Sequence, residues 1–443
     1  MGKAPNFIVF LTDDQGYGDL SCMGCTDFRT PHLDRLAADG ARFTDWYSNA
    51  PVCSPSRASL LSGRYPGNAG VRSILSGHRT ATGLPAAVPT IAEALRDRGY
   101  RTCLSGKWHL GLHPDSRPGA KGFDHWFGFM AGCIDYYSHI FYWGMNVPGP
   151  CVNPTHDLWE DDREVWHDGR YFTELITERA VGYIREAVAA DEPFFLFVGY
   201  NAPHYPMHAP QAYMDRFPDL PWDRRVMAAM ISAVDDGVGE ILAEVERQGL
   251  ANETCTFFTS DNGPSREARN WLDGTPDPYY GGTSGGLKGH KFSLYDGGIR
   301  VPAILHWPGT VPAGQVLSEP CASMDVFPTL LEAAGIEGSG LELDGRSLLS
   351  YVCDGVVGPE RCLFWEMGEQ TAVRRGPWKL VEKGQLVEGA KPEDELHLAR
   401  LDRDLGESEN LAEQEQPLAA ELLGLAREWR AGIEQRWTDE FAP

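Results

Sequence analysis

Four stretches of this chain share one pattern: an unbroken apolar run of strand length, closed by a short polar cluster. Asn6–Thr12 runs into Asp13-Asp14-Gln15-Gly16, and residues 100–105 run into Gly106-Lys107-Trp108-His109. Residues 193–200 run into Asn201-Ala202-Pro203-His204, and residues 254–259 into Ser260-Asp261-Asn262-Gly263. Strands that are apolar on both faces belong inside a sheet covered by helices, and the helical patterns between these runs suit parallel crossovers. The sequence therefore predicts an α/β fold. In open α/β sheets ligands gather beyond the carboxyl ends of the strands, where all four polar clusters would lie. Two adjacent carboxylates after a buried strand are costly unless a cation or donors compensate them. A metal ion is the simplest account of Asp13 and Asp14; capping of the next turn is the bland one.

A fifth feature is a helix start. In Pro51-Val52-Cys53-Ser54-Pro55-Ser56-Arg57, Ser54 suits an N-cap and Pro55 the first helical position, with Ala58, Leu60 and Leu61 continuing the helix. Cys53 then sits at a helix N-terminus, which favours an anion, and Arg57 one turn on adds positive charge. A buried thiol beside an ordinary helix start is the alternative. Lys107 and His109, two apart on an extended segment, present both side chains on one side.

Elsewhere, residues 90–98 read as a helix closed by Gly99, residues 171–188 as a second, and residues 223–248 as a long amphipathic third. Asp235 and Asp236 inside the third are expected to be structural. Residues 144–169, rich in Pro, Trp and acids, suggest a long surface loop near the site mouth. Toward the C-terminus, residues 362–366, 370–374 and 378–381 predict short antiparallel strands, and residues 417–435 a final helix.

A formal net charge of −24 argues against nucleic acid or an anionic membrane as partners, and a small anionic substrate would need a locally basic pocket. Ten cysteines without a repeated spacing suggest a reduced protein, not a disulfide scaffold. Cys22-Met23-Gly24-Cys25 is a lone CxxC with no partner motif. The N-terminal segment does not read as a signal peptide, so the expected localisation is cytoplasmic.

Cys53-x-Pro55-x-Arg57 with Leu60-Leu61-Ser62-Gly63-Arg64 resembles the sulfatase signature, and Gly106-Lys107-Trp108-His109-Leu110-Gly111 resembles a second one. Phe123-Asp124, Phe127-Gly128 and Asp135-Tyr136-Tyr137-Ser138-His139 look like the arylsulfatases related to N-acetylgalactosamine-4-sulfatase. The segment ending Tyr295-Asp296-Gly297-Gly298-Ile299-Arg300-Val301-Pro302 resembles a further family motif. Counting back from Tyr295 assigns its lysine to Lys291 and not Lys288, with His290 where Gly is usual and Asp296 where Glu is.

The resemblance implies an alkaline phosphatase-like fold: a large mixed, mostly parallel sheet sandwiched by helices, with a small C-terminal α+β subdomain on a short antiparallel sheet. The expected units are residues 1–345 and 346–443. It implies that Cys53 is oxidised by a formylglycine-generating enzyme to formylglycine, whose hydrated aldehyde is the nucleophile. Asp13, Asp14, Asp261 and Asn262 would hold one divalent cation, with position 53 completing the shell. Oxygen donors favour Ca²⁺, or Mg²⁺, over zinc. Arg57 and Lys107 would hold the diol and sulfate charge, and His109 would accept a proton. His204 and Lys291 would bind the ester and protonate its leaving oxygen, and Ser138 would touch the sulfate. The aromatic residues of 122–139, with Phe141, Tyr142 and Trp143, offer faces for stacking on a sugar or aryl group, and core packing is the equal alternative for most of them.

The expected reaction is hydrolysis of an aryl or carbohydrate sulfate monoester. Three alternatives stand beside it: a phosphonate or phosphate ester hydrolase of the same superfamily, a non-catalytic binder of sulfated glycans, and an unmodified Cys53 acting as a thiol.

Overall fold

Alternate residues of the first strand, β1 (Asn6–Thr12), enter different cores: Phe7, Val9 and Leu11 one, Ile8 and Phe10 the other. That two-sided burial is why the run carries no polar alternation. The computed structural model describes residues 4–77, 80–141, 155–266, 281–338 and 340–442. In chain order the next strands are β2 (Ala41–Phe43), β3 (Arg101–Lys107), β4 (His125–Phe129), β5 (Trp159–Glu160) and β6 (Arg163–Glu164). They are followed by β7 (Phe194–Gly199), β8 (Thr254–Ser260), β9 (Ala303–His306) and β10 (Gln315–Leu317). These ten strands form one sheet in the order β10-β2-β9-β8-β1-β7-β3-β4-β5-β6. From β8 through β4 five neighbours run parallel, while β9, β5 and β6 pair antiparallel with their inner neighbours.

Helix α1 (Pro31–Asp39) covers one face through Leu33 and Leu36, whereas α2 (Cys53–Ser62) packs Ala58, Leu60 and Leu61 on the other. Helices α3 (Phe172–Ala190) and α4 (Trp222–Arg247) join α1 on its face. Asp235 of α4 is structural, as expected: its carboxylate accepts the His32 and Leu33 N–H groups at the start of α1.

The second sheet is antiparallel: β11 (Cys362–Met367), β12 (Gln370–Arg375), β13 (Trp378–Glu382) and β14 (Leu396–Arg400), in that order. Val373, Leu380 and Leu398 pack on Leu422 and Ala426 of α5 (Gln416–Arg436). Leu363, Trp365, Ala372 and Val381 pack on Tyr47, Leu294, Tyr295 and Met324.

Three expectations change. The part of residues 144–169 that is described is not a plain loop: β5 and β6 extend the large sheet at its edge, a pairing that few residues and weak periodicity conceal. The rest of that stretch, with Tyr142 and Trp143, lies outside the described residues. β14 was not expected from the sequence. Finally, α2 begins at Cys53 itself with Val52 as its N-cap, so Ser54 is not the cap. Among the described residues no helix is long and apolar enough to cross a membrane, and no two cysteines are joined in a disulfide.

Candidate active site

The parallel register brings the polar clusters level. Leu11 lies beside Thr259 on one side and Gly199 on the other, and Gly199 lies beside Gly106. Gly106 has φ 118°, and a Cβ there would fall 2.0 Å from the Gly199 carbonyl oxygen, so only glycine allows this approach of β3 to β7. Asp13, Lys107, Asn201 and Asp261 consequently emerge at one edge.

Beyond that edge three carboxylates and three cations are buried together. Lys107 Nζ donates to Asp13 Oδ2 at 2.5 Å, and Lys291 Nζ to Asp14 Oδ2 at 2.8 Å. Arg57 donates to Asp261 Oδ2 from Nε at 3.0 Å and Nη2 at 2.8 Å, and from Nη1 to the Lys107 carbonyl at 3.2 Å. Asn262 Nδ2 donates to Asp14 Oδ1 at 2.7 Å, and the Asp14 N–H to Asp261 Oδ1 at 3.2 Å. Burial alone would raise the Asp14 carboxyl, but Lys291 and His204 hold it down at about 2. Burial, reinforced by Asp13, pushes Asp261 up to about 6 against Arg57.

Cys53 lies among these charges, its Sγ donating to Asp13 Oδ1 at 3.4 Å. Burial, with the Asp13 charge beside it, pushes the thiol well above its ordinary range. Ser54, displaced from the capping role, accepts the Leu75 N–H at 3.1 Å. The Leu75 carbonyl in turn lies 3.2 Å from His109 Nε2, so the helix start and the His109 ring are tied through one residue. His109 Nδ1 is buried without a hydrogen-bond partner. Burial, with Lys107 and Arg57 nearby, holds its pKa well below the usual imidazole value. His204 Nδ1 lies 2.6 Å from the Tyr205 carbonyl, and its Nε2 lies 3.6 Å from Asp14 Oδ2. Burial lowers this imidazole to about 4, despite Asp14.

The family description "Sulfatase" matches residues 5–336. The chain belongs to the sulfatase family. It is similar to human arylsulfatase A, with 33% identity over 86% of this chain and 75% of that protein. Mouse N-acetylgalactosamine-6-sulfatase shows 32% identity over 85% of this chain and 72% of its own length. Among solved structures, Ps i-CgsB in complex with k-i-k-neocarrahexaose superposes with a TM-score of 0.84 at 29% identity, covering 96% of this chain and 93% of that one. The family is one of sulfuric ester hydrolases and implies a formylglycine and a metal ion, so this sulfatase is an enzyme of that class.

The residues present fit both groups. One ligand atom each from Asp13, Asp14, Cys53 and His204 lies within 4.8 Å of the others. Asn262 Oδ1 is buried with no hydrogen-bond partner, an acceptor waiting for a cation. Asp261 lies outside that tight set, yet a carboxylate oxygen that accepts one N–H keeps a lone pair for an ion. The carboxylates and the Asn262 amide offer hard oxygens, with the His204 nitrogen also close, and Cys53 is the first residue of α2, at the helix end that favours an oxyanion.

Ser138 is less integrated. Its N–H donates to Asp135 Oδ1 at 2.7 Å, and its hydroxyl makes no hydrogen bond to the carboxylate cluster. Its neighbour Tyr136 donates to the carbonyls of Asn201 and His204 at 2.8 and 2.9 Å, which places this turn against the His204 segment. The expected sugar-stacking aromatics are mostly core: Phe123, Phe127, Phe129, Tyr136 and Phe141 are buried. Lys288 and Arg300 are structural, pairing with Glu393 and with Asp45 and Asp296.

Sequence reasoning missed Gln15, whose N–H donates to Ser260 Oγ at 3.0 Å and whose buried amide has no partner at either atom. Its position directly after the acid pair was the available signal. Leu75 had none, since its role depends on residues 21 and 34 positions away.

Proposed function

We propose that this sulfatase hydrolyses a carbohydrate or aryl sulfate monoester, R–O–SO₃⁻, to ROH and sulfate at the cluster around Cys53. The observation that carries the reading is the convergence of three carboxylates, three cations and two histidines on that one side chain. The names of the relatives, N-acetylgalactosamine-6-sulfatase and a protein in complex with neocarrahexaose, support a carbohydrate as R. Asp13, Asp14, Asp261 and Asn262, with position 53, are assigned to one divalent cation. Their oxygen-donor set favours Ca²⁺, with Mg²⁺ the alternative.

When in place, the formylglycine made from Cys53 by a formylglycine-generating enzyme supplies a hydrated-aldehyde nucleophile, and the cation supplies Lewis acidity toward a sulfate oxygen. Arg57 and Lys107 hold their positive charges beside Asp261 and Asp13, where a sulfate oxygen and the nucleophile would meet them. With its Nε2 proton given to the Leu75 carbonyl, His109 presents the Nδ1 lone pair as a base. The Tyr205 carbonyl orients His204 from its Nδ1 side and turns Nε2 inward. Lys291 lies beside the same Asp14 oxygen, so its ammonium is placed to give a proton to the departing ROH oxygen. Ser138 is assigned a substrate contact at the His204 side.

The test is the mass of the proteolytic peptide containing Cys53, from protein co-produced with a formylglycine-generating enzyme, followed by turnover of matched aryl sulfate, phosphate and phosphonate esters. Aldehyde at position 53 with sulfate turnover dominant is expected. An intact thiol together with undiminished turnover would overturn the mechanism, and dominant phosphonate turnover would replace the substrate class.

A further inference from the structure

His139 and His156 meet in a short ribbon away from the cluster around Cys53. Ile140 pairs with His156 and Phe141 with Thr155, antiparallel, and the Asp157 N–H donates to the His139 carbonyl at 3.0 Å. Each imidazole is anchored by one nitrogen only. His139 Nε2 lies 3.2 Å from the Arg170 carbonyl, and His156 Nδ1 lies 3.1 Å from Glu164 Oε1. The other two nitrogens, His139 Nδ1 and His156 Nε2, are buried and have no hydrogen-bond partner among the described residues. His139 is fully buried, and the His156 ring stacks on Trp166 at 4.9 Å with 10° between the planes. The Asp168 carboxylate completes the group, and one ligand atom from each of the three residues lies within 4.8 Å of the others.

A buried imidazole nitrogen without a partner is unfavourable, and this small cluster holds two of them. Metal-binding histidines give one N–H to a backbone carbonyl or carboxylate and keep the other nitrogen for the ion, and His139 and His156 divide their two nitrogens in that way. Two imidazoles and one carboxylate suit zinc-class ions and not the hard Ca²⁺ expected at Asp13 and Asp14.

We propose that His139, His156 and Asp168 form a second metal site, selective for a zinc-class dication, with a fourth position left for water. Such an ion would cross-link the ribbon to the segment before α3. That segment is already tied to the Tyr136–Ser138 turn, because the Gly169 N–H donates to the Tyr137 carbonyl and the Phe172 N–H to the Tyr136 carbonyl. Since Tyr136 donates to the His204 carbonyl, the ion would brace the scaffold behind His204 without joining the reaction.

The test uses the full chain, stripped with chelator, returned to excess Ca²⁺ and titrated with Zn²⁺ by calorimetry, with crystals measured at the zinc absorption edge. One Zn²⁺ per chain is expected, with an anomalous peak between His139 and His156 and a raised Tm. Because His139 is fully buried, the variants are His156→Gln and Asp168→Asn, each weakening zinc at least tenfold while the far-ultraviolet circular dichroism stays native. Cobalt in place of zinc should show the visible absorption of a tetrahedral site, lost in His156→Gln. An anomalous peak confined to the Asp13 site, or zinc affinity unchanged in both variants, overturns the proposal.

Discussion

Two buried charge clusters in this sulfatase have the same composition and opposite uses. Around Cys53, Asp13, Asp14 and Asp261 face Arg57, Lys107 and Lys291. Where the four-stranded sheet meets the large body, Asp45, Asp296 and Glu407 face Arg300, Arg374 and Lys379. In the second cluster the four-stranded sheet supplies Arg374 and Lys379, while turns and the short helical turn at Asp296 supply the rest. Lys379 of β13 reaches Asp296 at 2.7 Å and Glu407 at 3.1 Å, Arg374 of β12 reaches Asp45 at 2.7 Å and also the Tyr47 hydroxyl, and that hydroxyl donates to Asp296 Oδ2 at 2.9 Å. Among the described residues, Asn262 Oδ1, His109 Nδ1 and the Gln15 amide of the first cluster have no hydrogen-bond partner, whereas in the second cluster Glu407 Oε1 alone lacks one, and it keeps Lys379 at 3.1 Å. Charge count alone therefore does not mark a reactive site; spare hydrogen-bonding valence beside the charges does.

The largest test of this contrast is chelation. Stripping the divalent ion should abolish sulfate turnover and leave the circular dichroism native, with Ca²⁺ restoring activity better than Mg²⁺. Full activity after exhaustive chelation would remove the metal from the proposed chemistry. Next, Asp13→Asn should lower kcat/KM per folded molecule by ~10³-fold, since it removes a charge that faces the reacting groups. A variant retaining a tenth of the activity would show that Asp13 is structural.

In the second cluster the expected loss is of stability. Lys379→Met leaves Asp296 and Glu407 without their shared cation and should cost about 3–5 kcal/mol in denaturant unfolding, with kcat per folded molecule unchanged. An unaltered midpoint would break the comparison. The smallest effect is in pH. Burial, with Asp296 nearby, pushes Glu407 from 4.5 up to about 7 against Lys379, so the folded chain holds a proton that the unfolded chain releases between those values. Stability from this group is complete below pH 4.5 and is lost as pH rises toward 7, at most about 1.4 kcal/mol per pH unit. Glu407→Gln should flatten that slope, and an identical pH profile in the variant would place the proton elsewhere.

Much of the reactive cluster was legible because its residues sit at punctuation. Asp13, Lys107, His204 and Asp261 each follow or end an apolar run, and their chemistry conflicts with the burial those runs require. The second cluster was not legible. Asp45, Arg374 and Lys379 lie in ordinary turn and strand contexts, and alternating polar residues in an antiparallel strand normally face water. The edge strands β5 and β6 escaped for a different reason, since two residues carry no period.

The sequence by itself determined the four central apolar strands, the presence of a helix just after Val52 and the residue types at each of those strand ends. These are local properties: apolar continuity, β-branched and aromatic content, and turn chemistry act within a few neighbouring residues. Only the tertiary structure decided which cation meets which carboxylate, that Ser54 holds Leu75 instead of capping its helix, and that His139 comes together with His156. Those pairings join residues from 17 to more than 200 positions apart, as with Arg57 and Asp261 at a separation of 204. Hydrogen bonds and ion pairs act over a few ångströms, so their partners exist only once the sheet has brought distant strand ends to one edge.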